Sequence, residues 1–244
     1  MKAAPEAQRR LLDLQTIDTT LAQLAHKRKS LPELAEIDAV AREIAALEDE
    51  RVRAQVVVDD LDRDIARLEK DIDQVRQRKD KDQKRLEAGG SLREVEGLQH
   101  ELTTLNRRQS ELEDAELELM EQRETAEATL TRVQAKLGTT AERRADAEHR
   151  RDAAWAEIAK ELEFKKQARG PLAADLPEDL VTLYEKIRTD SGLGAALFYA
   201  GRCGGCRIEL YGADLHRVKA AAKDEVVRCE ECRRIMVRTA ESGL

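Results

Sequence analysis

Leu11, Leu14, Ile17, Leu21 and Leu24 recur at intervals of three and four residues, which puts them on one face of a helix from about Pro5 to Lys29. Pro5 suits the first turn of that helix. Ser30-Leu31-Pro32-Glu33 has the serine, proline and glutamate of a capping box, so a second helix is expected to start there. From Ile37 the pattern becomes heptadic. One seam line holds Ile37, Ile44, Arg51, Val58, Ile65, Ile72, Lys79 and Leu86, and the other holds Val40, Leu47, Ala54, Leu61, Leu68, Val75 and Asp82. An aliphatic seam sustained this long signals a coiled coil. At about 1.5 Å per residue, a helix from Pro32 to Glu87 extends roughly 80 Å.

Ala88-Gly89-Gly90-Ser91 is the only helix-breaking cluster between Pro32 and Gly170, and Ser91 with Glu94 repeats the capping-box signature. The chain is expected to reverse at 88–91. A second heptad series follows, with Leu98, Leu105, Leu112, Leu119, Ala126, Val133 and Ala147 on one line and Leu102, Leu130, Leu137 and Ile158 on the other. Gln109, Glu116, Arg123, Arg144 and Arg151 interrupt it. The outgoing path from Pro5 to Glu87 and the return path from Ser91 to about Lys166 are nearly equal in length. Equal lengths and a short connection favour an intramolecular antiparallel hairpin over a long parallel homodimer kinked at Gly89-Gly90.

At Arg169-Gly170-Pro171 the helical pattern is expected to stop, with a linker leading to Leu176-Pro177. A short amphipathic helix from Pro177 to Arg188 shows Leu180, Leu183, Tyr184 and Ile187 on one face. The fold class is therefore mainly α: a coiled-coil hairpin over 1–168, a linker and short helix over 169–198, and a small α+β segment over 199–244. In that last segment Asp214 to Lys223 reads as a helix, and Ile208–Tyr211 and Ile235–Arg238 read as short strands.

Composition fits this division. Of 244 residues, 38% are charged and 2% aromatic, which suits exposed helices burying a narrow seam and not a conventional globule. No apolar run reaches membrane-spanning length and Met1–Glu6 lacks a secretory pattern, so a cytoplasmic protein without membrane contact is expected. A net charge of -7 confines any nucleic-acid contact to local patches.

Cys203-Gly204-Gly205-Cys206 and Cys229-Glu230-Glu231-Cys232 are separated by 22 residues. Two thiolates three positions apart grip one side of a tetrahedral ion, and a second pair completes the shell. Cys203, Cys206, Cys229 and Cys232 are thus the expected ligands of one structural Zn²⁺. A redox role for one pair is the competing reading, as is a histidine, His216, in place of one thiolate. Four thiolates leave no coordination position for a catalytic water, and a segment this small needs the metal to fold.

With the cysteine block, Ser91–Glu101, Leu112–Asp114, Leu119–Glu121 and Leu183–Arg188 carry a resemblance to bacterial coiled-coil proteins that end in a four-cysteine zinc ribbon. That resemblance spans nearly the whole chain. It implies an elongated helical hairpin bearing a ribbon, and, through a flagellar regulator of the family, binding to an alternative sigma factor and to a messenger RNA. The family pattern has glycine after the last cysteine, followed by Arg-Ile-Leu; this chain has Arg233-Arg234-Ile235-Met236.

Two basic regions are candidates for contact with RNA or DNA. Arg76–Arg85 carries six cations, Arg76, Arg78, Lys79, Lys81, Lys84 and Arg85, against two acids. A solvated helix face is the plainer reading of such a run. In the ribbon, Arg207, Arg233 and Arg234 lie among further cations, with Phe198, Tyr199 and Tyr211 either stacking on bases or forming the ribbon's small core. Trp155 and Phe164 are expected to pack on the first helix or the linker, and His26, His100 and His149 to be surface residues. No catalytic set stands out and no small-molecule substrate is indicated. The expected function is a non-enzymatic adaptor that binds nucleic acid as a transcriptional or post-transcriptional regulator, or a scaffold that presents the coiled coil and ribbon to a partner protein such as a transcription factor.

Overall fold

Without a proline between Glu33 and Gly170, two long helices run uninterrupted: α2 spans Pro32–Glu87 and α3 spans Leu92–Ala174. The computed structural model describes residues 1–243 and divides into two units, Ala35–Glu148 and Met1–Leu34 with His149–Leu244. In the first unit α2 and α3 lie antiparallel, as the cross-helix pairs Glu43–Arg143, Asp62–Arg123 and Arg76–Glu113 require, since one partner's number falls while the other's rises. Ile37, Val40, Leu47, Val58 and Ile72 are buried against a seam that includes Leu112, Val133 and Ala147. Ala54, Leu61, Ile65, Leu68 and Val75 are only half covered, because two helices shield a seam from two sides alone.

The reversal forms as the sequence indicates. Gly89 takes φ +75, and the Ser91 N–H donates to Glu94 Oε2 at 2.9 Å while the Ser91 hydroxyl donates to the same oxygen at 2.7 Å. These bonds hold the Glu94 carboxyl below the usual carboxylate range, the hydroxyl contributing most.

Asp82 sits in the apolar seam, 2% exposed, with Oδ2 lacking a hydrogen-bond partner. Arg78 and Arg85 approach it no closer than 3.5 Å and 3.9 Å. A buried carboxylate so weakly compensated costs stability, so Asp82→Leu is expected to raise the unfolding free energy by about 1–3 kcal/mol. Urea midpoints of the two proteins measure it.

In the second unit, α1 (Pro5–Lys29) packs along the end of α3, with Leu24 and Leu31 against Ile158 and Leu162. The capping box expected at Ser30 does not form. The Ser30 hydroxyl instead donates to the His26 carbonyl at 3.1 Å, closing α1, and Leu31 accepts the first bond of α2. Trp155 packs on α1 as expected, its indole N–H donating to the Arg28 carbonyl at 3.1 Å; Phe164 does not, and is 67% exposed.

The stop expected at Gly170-Pro171 is also absent, since α3 continues to Ala174. The proline ring crowds both the N–H and the Cβ of a helical residue before it, and Gly170 lacks the second of these. Leu172, Ala173 and Leu176 then reach the core that Leu11 and Leu14 of α1 share with Leu180, Tyr184 and Ile187 of α4 (Glu178–Ser191).

Four short strands complete the unit: β1 (Ala195–Tyr199), β2 (Arg202–Cys203), β3 (Val227–Arg228) and β4 (Ile235–Val237), with helix α5 (Gly212–Ala220) between β2 and β3. Their order is β2-β1-β4-β3, with β1 parallel to β4 and the outer pairs antiparallel. The sequence reading places a strand at Ile208–Tyr211 and misses β1. Only Glu209 makes a bridge, to Arg202, whereas Ala195, Ile235 and Val237 join the α1–α4 core.

Candidate metal centre and its exposed face

Each cysteine pair closes the same small turn. Arg207 N donates to the Cys203 carbonyl at 2.7 Å and Cys203 N to the Ile208 carbonyl at 3.0 Å; the second pair repeats this with Arg233 N to Cys229 at 2.9 Å and Cys229 N to Arg234 at 3.0 Å. Gly204 is needed in the first turn, since a Cβ there would lie 2.6 Å from the Leu197 carbonyl oxygen. β1 and β4 then bring both turns together.

The four sulfurs lie within 4.8 Å of one another. Cys203 and Cys232 Sγ are 3.7 Å apart, and Cys206 and Cys229 Sγ 3.9 Å. Disulfide sulfurs would be about 2.05 Å apart. A tetrahedron of Zn–S bonds near 2.3 Å has edges of about 3.8 Å, so the residues fit zinc.

The thiols are not easily ionised together without a cation. Burial pushes the Cys203 thiol up to about 12, reinforced by the neighbouring Cys229 and Cys232, and burial likewise raises Cys229. For Cys232 burial acts upward too, but the Arg234 N–H and the adjacent thiols outweigh it and lower its pKa. A divalent ion removes this conflict by binding the thiolates directly.

Around the centre, Phe198, Leu210, Val218, Val227 and Met236 form a small apolar core with Cys203 and Cys229. Arg238 spreads its guanidinium over the end of α5, donating to the carbonyls of Ala221 and Ala222 at 2.6 Å each and of Glu225 at 2.8 Å. The first residues of the chain are tied in as well, with Ala3 N donating to Asp224 O at 2.7 Å and Val226 N to Met1 O at 3.1 Å.

Residues 14–192 match the CT398-like coiled coil hairpin domain, and residues 202–236 match the C4-type zinc ribbon domain. The chain belongs to the CT398-like coiled-coil hairpin family. Its C4 zinc ribbon makes it a metal-binding coiled-coil protein. An uncharacterized protein of Mycobacterium tuberculosis is 39% identical over 98% of each chain, and one of Mycobacterium leprae is 31% identical over 88% of this chain and 93% of its own. A solved Mycobacterium smegmatis structure superposes with TM-score 0.89 at 37% identity, covering 98% of this chain and 100% of that one. CT398 from Chlamydia trachomatis shares the fold, with TM-score 0.69 at 20% identity over 96% of this chain and 98% of its own. No helix among the described residues is long and apolar enough to cross a membrane.

Within this family member the candidate cations divide. Arg76 pairs with Glu113 at 2.9 Å, Arg78 with Glu101 at 2.5 Å, and Lys79 donates to Gln109 Oε1 at 2.7 Å, so these three tie α2 to α3. Lys81 and Lys84 carry no ion pair among the described residues, and Arg85 reaches only Asp82 at 3.9 Å. Arg234 is an anchor: it donates to the Leu193 and Ser191 carbonyls, both at 3.2 Å, at the end of α4. Arg207 and Arg233 remain exposed.

The aromatics divide too. Phe198 is fully buried, but Tyr199 and Tyr211 are 59% and 69% exposed, and Ile208 beside them is 46% exposed. Tyr199, Arg202 and Glu209 share one face of a small hairpin, since Tyr199 is in register with Arg202 and Arg202 bridges to Glu209; Tyr211, two residues after Glu209, falls on the same side. Glu209 accepts from Arg202 at 2.5 Å and from the Tyr211 hydroxyl, a bond that raises the tyrosine's pKa. Ile208 carries no sequence signal as a surface residue, because its apolar side chain reads as core until the hairpin's facing is known.

Proposed function

We propose that this protein is a non-enzymatic cytoplasmic adaptor whose zinc ribbon, folded around one structural Zn²⁺, binds single-stranded RNA or DNA. The observation that carries the reading is the exposed pair Tyr199 and Tyr211 on the first cysteine hairpin, where Arg202 is in register with Tyr199 and Arg207 is exposed in the cysteine turn. The whole chain has only three tyrosines, two phenylalanines and one tryptophan, so two of its few aromatics face water on one small surface. Flat rings there offer stacking to any unpaired base, while Arg207 supplies a cation for the adjoining phosphate. The four thiolates would fill the metal's shell, so the ion holds the face in shape and supplies no reaction.

Fluorescence anisotropy with a short single-stranded RNA tests this. Stacking contributes about 1–3 kcal/mol per base, so the double variant Tyr199→Ala, Tyr211→Ala is expected to bind at least tenfold more weakly at fixed salt. An unchanged affinity would remove the reading. A second reading, docking of a transcription-related protein, is favoured by Val52, Val56, Val57, Leu117 and Met120, which stand about half exposed or more on the hairpin unit. It predicts salt-insensitive capture of one protein, lost when Val52 and Val56 are replaced by lysine, with no RNA retained.

A further inference from the structure

Arg207 and Arg233 each follow the second cysteine of a pair, and both adopt φ +64. The left-handed region strains a non-glycine residue, and glycine would close the same turn without that strain. Arg233 does not offset it by packing, because its side chain is 70% exposed. What the strain achieves is placement. Arg233 stands at the rim of a 210 Å³ notch that Arg217 from α5 and Arg228 from β3 also line.

Two of the three guanidiniums meet on one carboxylate. Glu230 pairs with Arg217 at 2.8 Å and faces Arg233 at 3.9 Å. Arg228 Nε donates to the Arg233 carbonyl at 3.0 Å, which orients its fork and leaves its two terminal nitrogens without a partner among the described residues. Glu225 and the ligand Cys229 also line the notch, so the three arginines face two glutamates and the negative charge of the thiolate centre. Moving Glu230 out removes one of those negative charges.

We propose that the Arg217–Arg228–Arg233 notch is a phosphate subsite of the ribbon, and that Glu230 fills it in the free protein and gives way when a phosphodiester enters. This rests on the nucleic-acid reading above and names where the backbone is held. The notch suits phosphate because planar arginine forks from three elements line it and two of them already share one carboxylate, matching an oxyanion with several acceptor oxygens. Glu230 acts as the internal counter-anion, so ligand and carboxylate compete for the same donors. Removing its charge should therefore strengthen binding, an effect opposite in sign to loss of a supporting contact.

The test uses the zinc-loaded full chain, a 12-nucleotide single-stranded RNA, and anisotropy over a range of KCl. Glu230→Gln is expected to tighten binding about threefold to tenfold, as one competing charge leaves a cluster of phosphate-binding cations. Arg233→Gly is expected to weaken it about fivefold and to lower the slope of log K against log salt by about 0.7, one released counterion on a single strand. Its thermal midpoint should stay level or rise, because glycine relieves the backbone, so a loss of affinity cannot be blamed on unfolding. Glu231→Gln supplies the control, being exposed and outside the notch. If it tightens binding as much as Glu230→Gln, the effect is general charge and the subsite is overturned. If the tyrosine variant loses RNA while Arg233→Gly and Glu230→Gln bind like the wild type, the subsite falls and the ribbon reading stands. If the wild type binds no RNA, both fall.

Discussion

Stripping the metal with a strong chelator is expected to unfold the part of the ribbon around the cysteines, with amide protection lost over residues 198–234 while α2 and α3 stay helical over Ala35–Glu148. The size of the effect follows from how little else holds this segment. Its strands are five, two, two and three residues long, and two of the seven residues in the buried cluster around the metal are cysteines. Structural zinc supplies about 10–16 kcal/mol of apparent binding free energy in finger peptides near neutral pH, far above what so small an apolar core provides. Cys229→Ser should do the same without chelator. Because burial raises the Cys203 and Cys229 thiols, zinc must displace their protons, and its affinity is expected to fall as pH is lowered. Hydrogen exchange alongside a zinc assay measures both.

The second large effect is expected at Asp18, on α1. Its carboxylate is 1% exposed, accepts from Arg169 Nε at 2.6 Å and Nη2 at 3.0 Å, and accepts from the Tyr184 hydroxyl at 2.7 Å. Arg188 approaches at 3.6 Å, and Glu185 pairs with both arginines. The carboxylates push the Arg169 pKa upward, led by the hydrogen bond it donates to Asp18, while burial and the bond to Asp18 raise that of Tyr184. Asp18→Leu would leave two guanidiniums and a buried phenol facing an apolar side chain. Breaking one partner out of such a network costs about 3–5 kcal/mol, so urea unfolding of α1, α4 and the sheet should move to markedly lower midpoints. Asp18→Asn, which keeps the shape and one acceptor, should lose less.

The same cluster shows where sequence reasoning reached its limit. The hairpin was legible because a seven-residue aliphatic repeat with no proline leaves few alternatives, and Gly89-Gly90 followed by Ser91 and Glu94 marks the reversal chemically. The metal centre was legible because two Cys-x-x-Cys turns need no long-range context to be seen. The buried face of α1 was not. Leu11 and Leu14 follow the apolar pattern, but Gln8, Gln15 and Asp18 are buried on that helix while Ile17 and Leu21 are only half covered. Those polar residues earn burial through partners far along the chain.

Gln15 Oε1 accepts from the N–H of Gly194 at 2.7 Å and of Ala195 at 3.2 Å, and a Cβ on Gly194 would lie 2.5 Å from the Tyr184 ring. Gln8 Nε2 donates to the carbonyls of Ala3 at 2.8 Å and Lys223 at 3.2 Å. No local pattern announces bonds between residues so far apart in sequence. For the same reason the start of β1 lay hidden, since its parallel partner β4 follows a long insertion. A signal was present in retrospect: Gln8 and Gln15, like Leu11 and Asp18, stand seven residues apart on one stripe.

Charge was the weakest guide. Arg76, Arg78 and Lys79 belong to the run of cations in sequence but spend their charge on α3, and Arg234 spends its donors on α4, because a long side chain settles on whichever acceptor its helix or turn happens to face. Exposure of Tyr199 and Tyr211 was equally invisible until the register of the first cysteine hairpin placed their neighbours.

Ultraviolet crosslinking of single-stranded RNA to the zinc-loaded chain, with the adducts mapped by mass spectrometry, asks most directly whether the ribbon face is the contact surface. Adducts at Tyr199 or Tyr211 are the expected result. Adducts confined to residues 35–148, or none at all under conditions where the zinc is retained, would contradict it.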